Sequence, residues 1–110
     1  MEPTLQAVFG ANAVQDASTI TLTKADFAAV GLVAGADNRA ESILAAILLN
    51  AKPQLNQTGF DTNIDQSIVI EDSFPNITNR GVNAAEYRND PLTINLWKPS
   101  TGTGRNPMDY

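Results

Sequence analysis

Hydrophobic and polar positions alternate along this chain in two rhythms, and the places where one gives way to the other predict its elements. Thr19-Ile20-Thr21-Leu22-Thr23 sets Ile20 and Leu22 on one face against three threonines, the two-residue period of a half-buried strand. Thr23-Lys24-Ala25-Asp26 then has the form of a helix start, with Thr23 as N-cap and Asp26 three positions on. A short helical turn through Phe27 to Val30 follows and stops at Gly31, and the small residues from Gly31 to Ala36 predict a loop.

The longest rhythm comes next. Asn38-Arg39-Ala40-Glu41 is a capping-box pattern with Asn in the cap position, and Lys52-Pro53 is a stop. Between them Ala40, Ile43, Leu44, Ile47 and Leu48 recur at the spacing of one helix face. Ala45, Ala46 and Leu49 make the other side apolar as well, and a helix apolar nearly all round must be covered on more than one side. Either the chain's own loops and arms cover it or a neighbouring subunit does.

Beyond Pro53 the segment Gln54 to Asn63 is polar and turn-like. Ser67-Ile68-Val69-Ile70-Glu71 predicts a second strand, ending before Phe74-Pro75. Asn76 to Pro91 is Asn-rich with Gly81 and is expected as a long loop, with Ala84 to Arg88 as one helical turn inside it. A loop of that length in a compact domain is usually functional or ordered by contact. Leu92-Thr93-Ile94-Asn95-Leu96-Trp97 predicts the third strand, with Leu92, Ile94 and Leu96 inward and Trp97 on the opposite face. From Lys98 to Tyr110 the chain is Pro, Gly, Thr and Asn, an extended arm ending in Met108 and Tyr110. The expectation is an α+β fold: one central apolar helix packed on a short antiparallel β-sheet, with extended N- and C-terminal arms. Residues 1–97 form one small domain and 98–110 the C-terminal arm.

Composition narrows the function. At 110 residues the chain makes one domain with one modest core. Only 17% of residues are charged, below the roughly 25% usual in soluble domains. Asn and Thr fill the surface instead, and neutral amides and hydroxyls cost less to bury against another protein than ions do. The net charge of −5 opposes a phosphate backbone, and Lys24, Arg39, Lys52, Arg80, Arg88, Lys98 and Arg105 form no cluster, so no nucleic-acid partner is expected. The apolar run Ile43 to Leu49 is far short of the ~20 residues of a membrane span. Met1-Glu2-Pro3 is acidic with no apolar run after it, so no secretory leader and no membrane partner are expected.

Candidate chemistry is sparse. The absence of Cys and His excludes disulfides, thiolate catalysis and Cys/His zinc sites. General base work would fall to a carboxylate or a lysine, and the spacing of Asp61, Asp65, Glu71 and Asp72 pairs none of them across a substrate. Gly102-Thr103-Gly104 follows no strand and is flexible chain rather than a phosphate loop. Asp61, Asn63, Asp65 and Asp72 fall at positions one, three, five and twelve of a calcium loop, with Ile68 at eight. But Gln66 stands where that turn requires Gly, and Asp72 replaces the longer Glu, so a polar turn into a strand is the better reading. Asn76-Ile77-Thr78 matches a glycosylation triplet, which without a secretory signal is chance. Trp97 serves either as a stacking platform for a sugar or base or as a core edge or interface anchor. No enzyme activity, cofactor or metal is expected.

The run from Thr19 to Phe27, with Asn38 to Asn50, resembles small proteins of cyanobacteria and their phages, and the whole chain is similar in character to tailed-phage head, neck or tail accessory proteins. That resemblance implies a virion structural role, assembled in the host cytoplasm: a homo-oligomeric subunit decorating a capsid or joining parts of a tail or baseplate, with itself and other virion proteins as partners. The interface residues expected are Trp97, Tyr87, Met108 and Tyr110. The alternatives are a monomeric cellular binding or regulatory module, or a calcium- or carbohydrate-binding accessory domain.

Overall fold

A computed structural model describes residues 2–100 and 104–110, so Gly102 and Thr103 of the glycine-containing tail lie outside the described residues. The fold is α+β with small antiparallel sheets. In order it runs α1 (Leu5–Phe9), β1 (Val14–Gln15), β2 (Ile20–Thr21), a 3₁₀ helix (Lys24–Val30), α2 (Ala40–Ala51), α3 (Gln57–Thr62), β3 (Ile68–Asp72), β4 (Asn76–Arg80), β5 (Ala85–Asn89), β6 (Leu92–Leu96) and a 3₁₀ turn (Pro107–Asp109). The strands form three two-stranded antiparallel ladders, β1 with β2, β3 with β6 and β4 with β5, rather than one sheet.

Capping and tight approaches build the N-terminal half. Thr4 accepts from the Ala7 N–H and starts α1, a helix the polarity pattern did not announce. Gly10 ends it at φ 109°, and a Cβ there would lie 2.7 Å from the Asp26 Cβ. Such a φ and such an approach both require Gly. Asp26 fixes the crossing by accepting from the Asn12 N–H and side-chain amide at 2.8 and 2.7 Å. The expected strand Thr19 to Thr23 shrinks to Ile20 and Thr21, and Ile20 stands half out in solvent. Its partner β1 reaches it through a turn closed on Asp16, whose carboxylate accepts from the backbones of Ser18 and Thr19 and the Thr19 hydroxyl. The helical turn expected at Phe27 to Val30 is the 3₁₀ helix, which buries Phe27 and ends at Gly31 in the left-handed region. Thr23 sits at its N-cap without a side-chain bond.

The α2 helix has nearly the expected span, with two corrections. Asn38 does not cap it: its side chain accepts from the Gly35 N–H and donates to the Val33 carbonyl, and Arg39 takes the N-cap position. The inward face is turned toward Ala46, Asn50 and Ala51, which leaves Leu44 and Leu49 largely exposed. Asn50 belongs on that face because its amide donates to the Val8 carbonyl at 3.0 Å, binding α2 to α1. The helix packs on α1 and the 3₁₀ helix rather than across a sheet. It meets β3 at its C-terminal end, where Ala51, Leu55 and Ile70 form a buried cluster flanked by Val8, Ile68 and Leu92.

The core is small for the chain. The accessible surface is 8304 Å², against about 5,900 Å² for a compact monomer of this mass. The radius of gyration of 16.5 Å likewise exceeds the roughly 13 Å of a compact chain of this length.

Candidate functional site: a two-stranded arm and its base

One segment with no buried residue is the one whose role the polarity pattern hid. Asn76 to Asn89, expected as a loop with a helical turn, is a hairpin: β4 and β5 pair from Asn76↔Asn89 to Arg80↔Ala85 around the tip Gly81–Ala84. Gly81 and Ala84 both have positive φ, 84° and 49°, which the four-residue reversal needs. The signal present in the sequence was Ile77-Thr78 and Tyr87 on either side of a Gly-and-Asn tip. It was weak because Asn fills the alternating polar places and depresses β-propensity.

The hairpin continues the β3–β6 ladder. Those strands pair from Ile68↔Leu96 to Asp72↔Leu92, so three residues, Ser73 to Pro75, oppose two, Asp90 and Pro91, before pairing resumes. The junction is a bulge in one long ribbon. It is held by Ser73 N–H donating to the Pro91 carbonyl at 2.9 Å and by a hydroxyl bond between Ser73 and Thr93. On the near side of the bulge Val69 and Ile70 are buried; on the far side every residue from Phe74 to Asp90 is exposed. Phe74, Ile77, Val82 and Tyr87 thus meet solvent rather than a core. The Arg80 guanidinium lies 4.8 Å over the Tyr87 ring, a diagonal cross-strand contact on one face of the arm.

At the base of the ribbon sits Trp97. Its backbone N–H donates to the Ser67 carbonyl at 2.8 Å, and its ring leans on Phe60 of α3 with centroids 5.5 Å apart. Gln66 fixes this corner: it is buried, and its amide nitrogen donates to the carbonyls of Asn56 and Ile68 at 2.9 Å each, tying α3 to β3. The resulting cleft of about 320 Å³ is walled by Phe60, Ile64, Trp97 and Pro99. Leu92 is half-buried as expected of an inward residue, but Ile94 and Leu96 remain 44% and 40% exposed because nothing among the described residues folds over the far end of β6.

Met108 is exposed in the C-terminal 3₁₀ turn, whereas Tyr110 lies half-buried in a cleft of its own chain beside Pro3, Phe9 and Ile68. The end of the expected extended arm therefore folds back. Lys98 holds it, donating to the Gly104 carbonyl and the Asp109 carboxylate at 2.8 and 3.2 Å.

The four candidate carboxylates do not converge. Asp61 sits on α3 and accepts from Gln57, while Asp72 ends β3 and pairs with Lys52 at 2.8 Å. Glu71 stands opposite Thr93 on the ladder, and Asp65 takes the Tyr110 cleft. Asn63 turns its side-chain oxygen to the Asp65 N–H. The calcium-loop order of these residues is thereby broken between a helix and a strand, and among the described residues no acidic cluster fit to hold a metal is present. The Ser18 N–H, then the Thr19 N–H and hydroxyl, hold the Asp16 carboxyl below the usual aspartate range. Asn76 of the glycosylation-like triplet opens β4.

No helix among the described residues is long and apolar enough to cross a membrane. Compared with known proteins, the chain matches no family model, no curated protein and no solved structure.

Proposed function

We propose that this chain is a non-enzymatic structural subunit that works in several copies within a protein assembly, and that the assembly is a virion in which it decorates a capsid or joins parts of a neck, tail or baseplate. The observation carrying the first part is the surplus of about 2,400 Å² of accessible surface over a compact monomer, together with a β-arm that has no core of its own. An isolated two-stranded hairpin is marginal in water, so an arm of this kind takes its stability from what it docks on. Taken over two chains the surplus comes to about 4,800 Å², within the 2,000–5,000 Å² that obligate interfaces bury over both partners. Low charge and abundant Asn and Thr suit a surface that other protein covers. The virion setting rests on the resemblance of Thr19 to Phe27 and Asn38 to Asn50 to small phage and cyanobacterial proteins.

The deciding experiment is absolute mass by light scattering after size exclusion across a concentration series, followed by electron microscopy of the largest species. A discrete oligomer or growth with concentration is expected. A monomer at every concentration would overturn self-assembly and favour the monomeric binding module.

A further inference from the structure

The two halves of the ribbon leave different edges open, and their chemistry is unequal. The Trp97–Ser67 and Ser73–Pro91 bonds set the parity of the β3–β6 ladder: Thr93 and Asn95 turn their backbone groups to β3, and Leu92, Ile94 and Leu96 turn theirs outward. Among the described residues nothing takes those outward groups. The outer edge of β3 differs: the Ile70 N–H is taken by the Leu55 carbonyl at 2.8 Å, and Glu71 and Asp72 add charge. On the arm, the β5 edge carries Glu86 and Arg88, the charges that natural edges use against pairing. That leaves β4, uncharged from Asn76 to Asn79, and β6, uncharged throughout. These are two unguarded edges, four residues of β4 and five of β6.

We infer that β4 of one copy adds as a strand to the outer edge of β6 of a second copy, seating the arm beside the Trp97 cleft of its neighbour. The inference rests on the assembly reading above and names its contact. Main-chain bonds supply the affinity in such strand addition, and alternate side chains the register. Ile77 brings an exposed apolar side chain to the half-exposed Ile94 and Leu96. Asn76 to Asn89 holds Arg80 and Arg88 against Glu86 alone, whereas the whole chain is at −5, so arm and body attract. Donor and acceptor edges differ, so the exchange runs reciprocally into an arm-swapped dimer or serially into a ring or filament.

Two full-length variants test it. Ile77→Lys places a charge on the donor edge at a position 59% exposed. Ile94→Pro deletes an outward N–H and leaves the bonds of Thr93 and Asn95 to β3 in place. Each variant alone is expected to be monomeric at concentrations where the parent chain is assembled. Mixed, they are expected to form a 1:1 pair that grows no further, because the arm of the proline variant and the edge of the lysine variant are intact. A parent chain that assembles while both variants assemble equally well overturns this contact and leaves the assembly reading standing. A monomeric parent overturns both. Should the proline variant unfold, amide exchange on the assembled parent decides: slow exchange at Leu92, Ile94 and Leu96 supports the pairing, and fast exchange there overturns it.

Discussion

The two halves of the β-ribbon have the same length, the same antiparallel pairing and the same number of cross-strand pairs, yet they stand in opposite physical situations. The near half has Val69 at 0% and Ile70 at 5% exposure, Ile70 being packed against Leu55 and Ala51 at the end of α2. The far half has no buried residue at all. Backbone pairing is thus the same in both, and what distinguishes them is apolar burial, worth about 25 cal/mol per Å². Net hydrogen-bond stabilisation of about 1 kcal/mol per bond does not offset the conformational entropy of ordering a strand, so burial supports the near half and is missing from the far half, where the proposed contact with a second copy would supply it.

The sharpest way to break this comparison is the same substitution in both halves. Ile70→Ala should destabilise the monomer by about 2–5 kcal/mol, as truncation in a packed core does. Ile77→Ala should change the melting of a dilute sample by less than about 0.5 kcal/mol, as an exposed site does; denaturant titration of both variants gives the two values. A smaller effect comes from the tie between α3 and β3. Gln66→Leu leaves the carbonyls of Asn56 and Ile68 without their donor, at a cost of about 1–3 kcal/mol. It should also free Phe60 from Trp97, which tryptophan fluorescence would report as a shift toward the solvent-exposed spectrum. Within the arm, Arg80→Ala removes a contact worth roughly 0.5–1 kcal/mol at an exposed site. It should shift the Tyr87 ring resonances and leave those of Phe27 unchanged.

Acidification gives the smallest effect. The folded-state acidity of Asp16 is depressed, so its contribution is present above the unfolded aspartate value and is lost as pH falls through the lower folded value. The β1–β2 turn should therefore loosen below about pH 4, the ordinary aspartate range. Asp16→Asn should loosen it at every pH, as read from Ser18 and Thr19 amide exchange.

The elements legible in the sequence are those whose apolar residues recur with a clear period, whether or not each of them is covered. The spans of α2, β3 and β6 were within a residue or so of the reading, because Ile43 to Leu49, Ile68 to Ile70 and Leu92 to Leu96 carry clear periods. The inward face of α2 was misjudged because Asn50, a polar residue, occupies it to bond Val8, a partner 42 positions away. The Asn38 capping box failed for a similar reason: the side chain found the Val33–Gly35 loop first. Periodicity measures burial, and Asn76 to Asn89 buries nothing within its own chain, so a regular hairpin looked like a loop. Of the interface residues expected, Tyr87 lies on the arm and Trp97 at its base, Met108 is exposed elsewhere, and Tyr110 is engaged by its own chain.

The central claim is that the far half of the ribbon is ordered by a second copy and the near half by its own core. Amide hydrogen exchange followed at dilute and concentrated protein tests it most directly. Protection at Val69 and Ile70 should be independent of concentration, whereas protection across Asn76 to Asn89 should rise as the chain assembles. Equal protection of both halves at every concentration, or an arm that stays unprotected in the concentrated sample, would contradict the account.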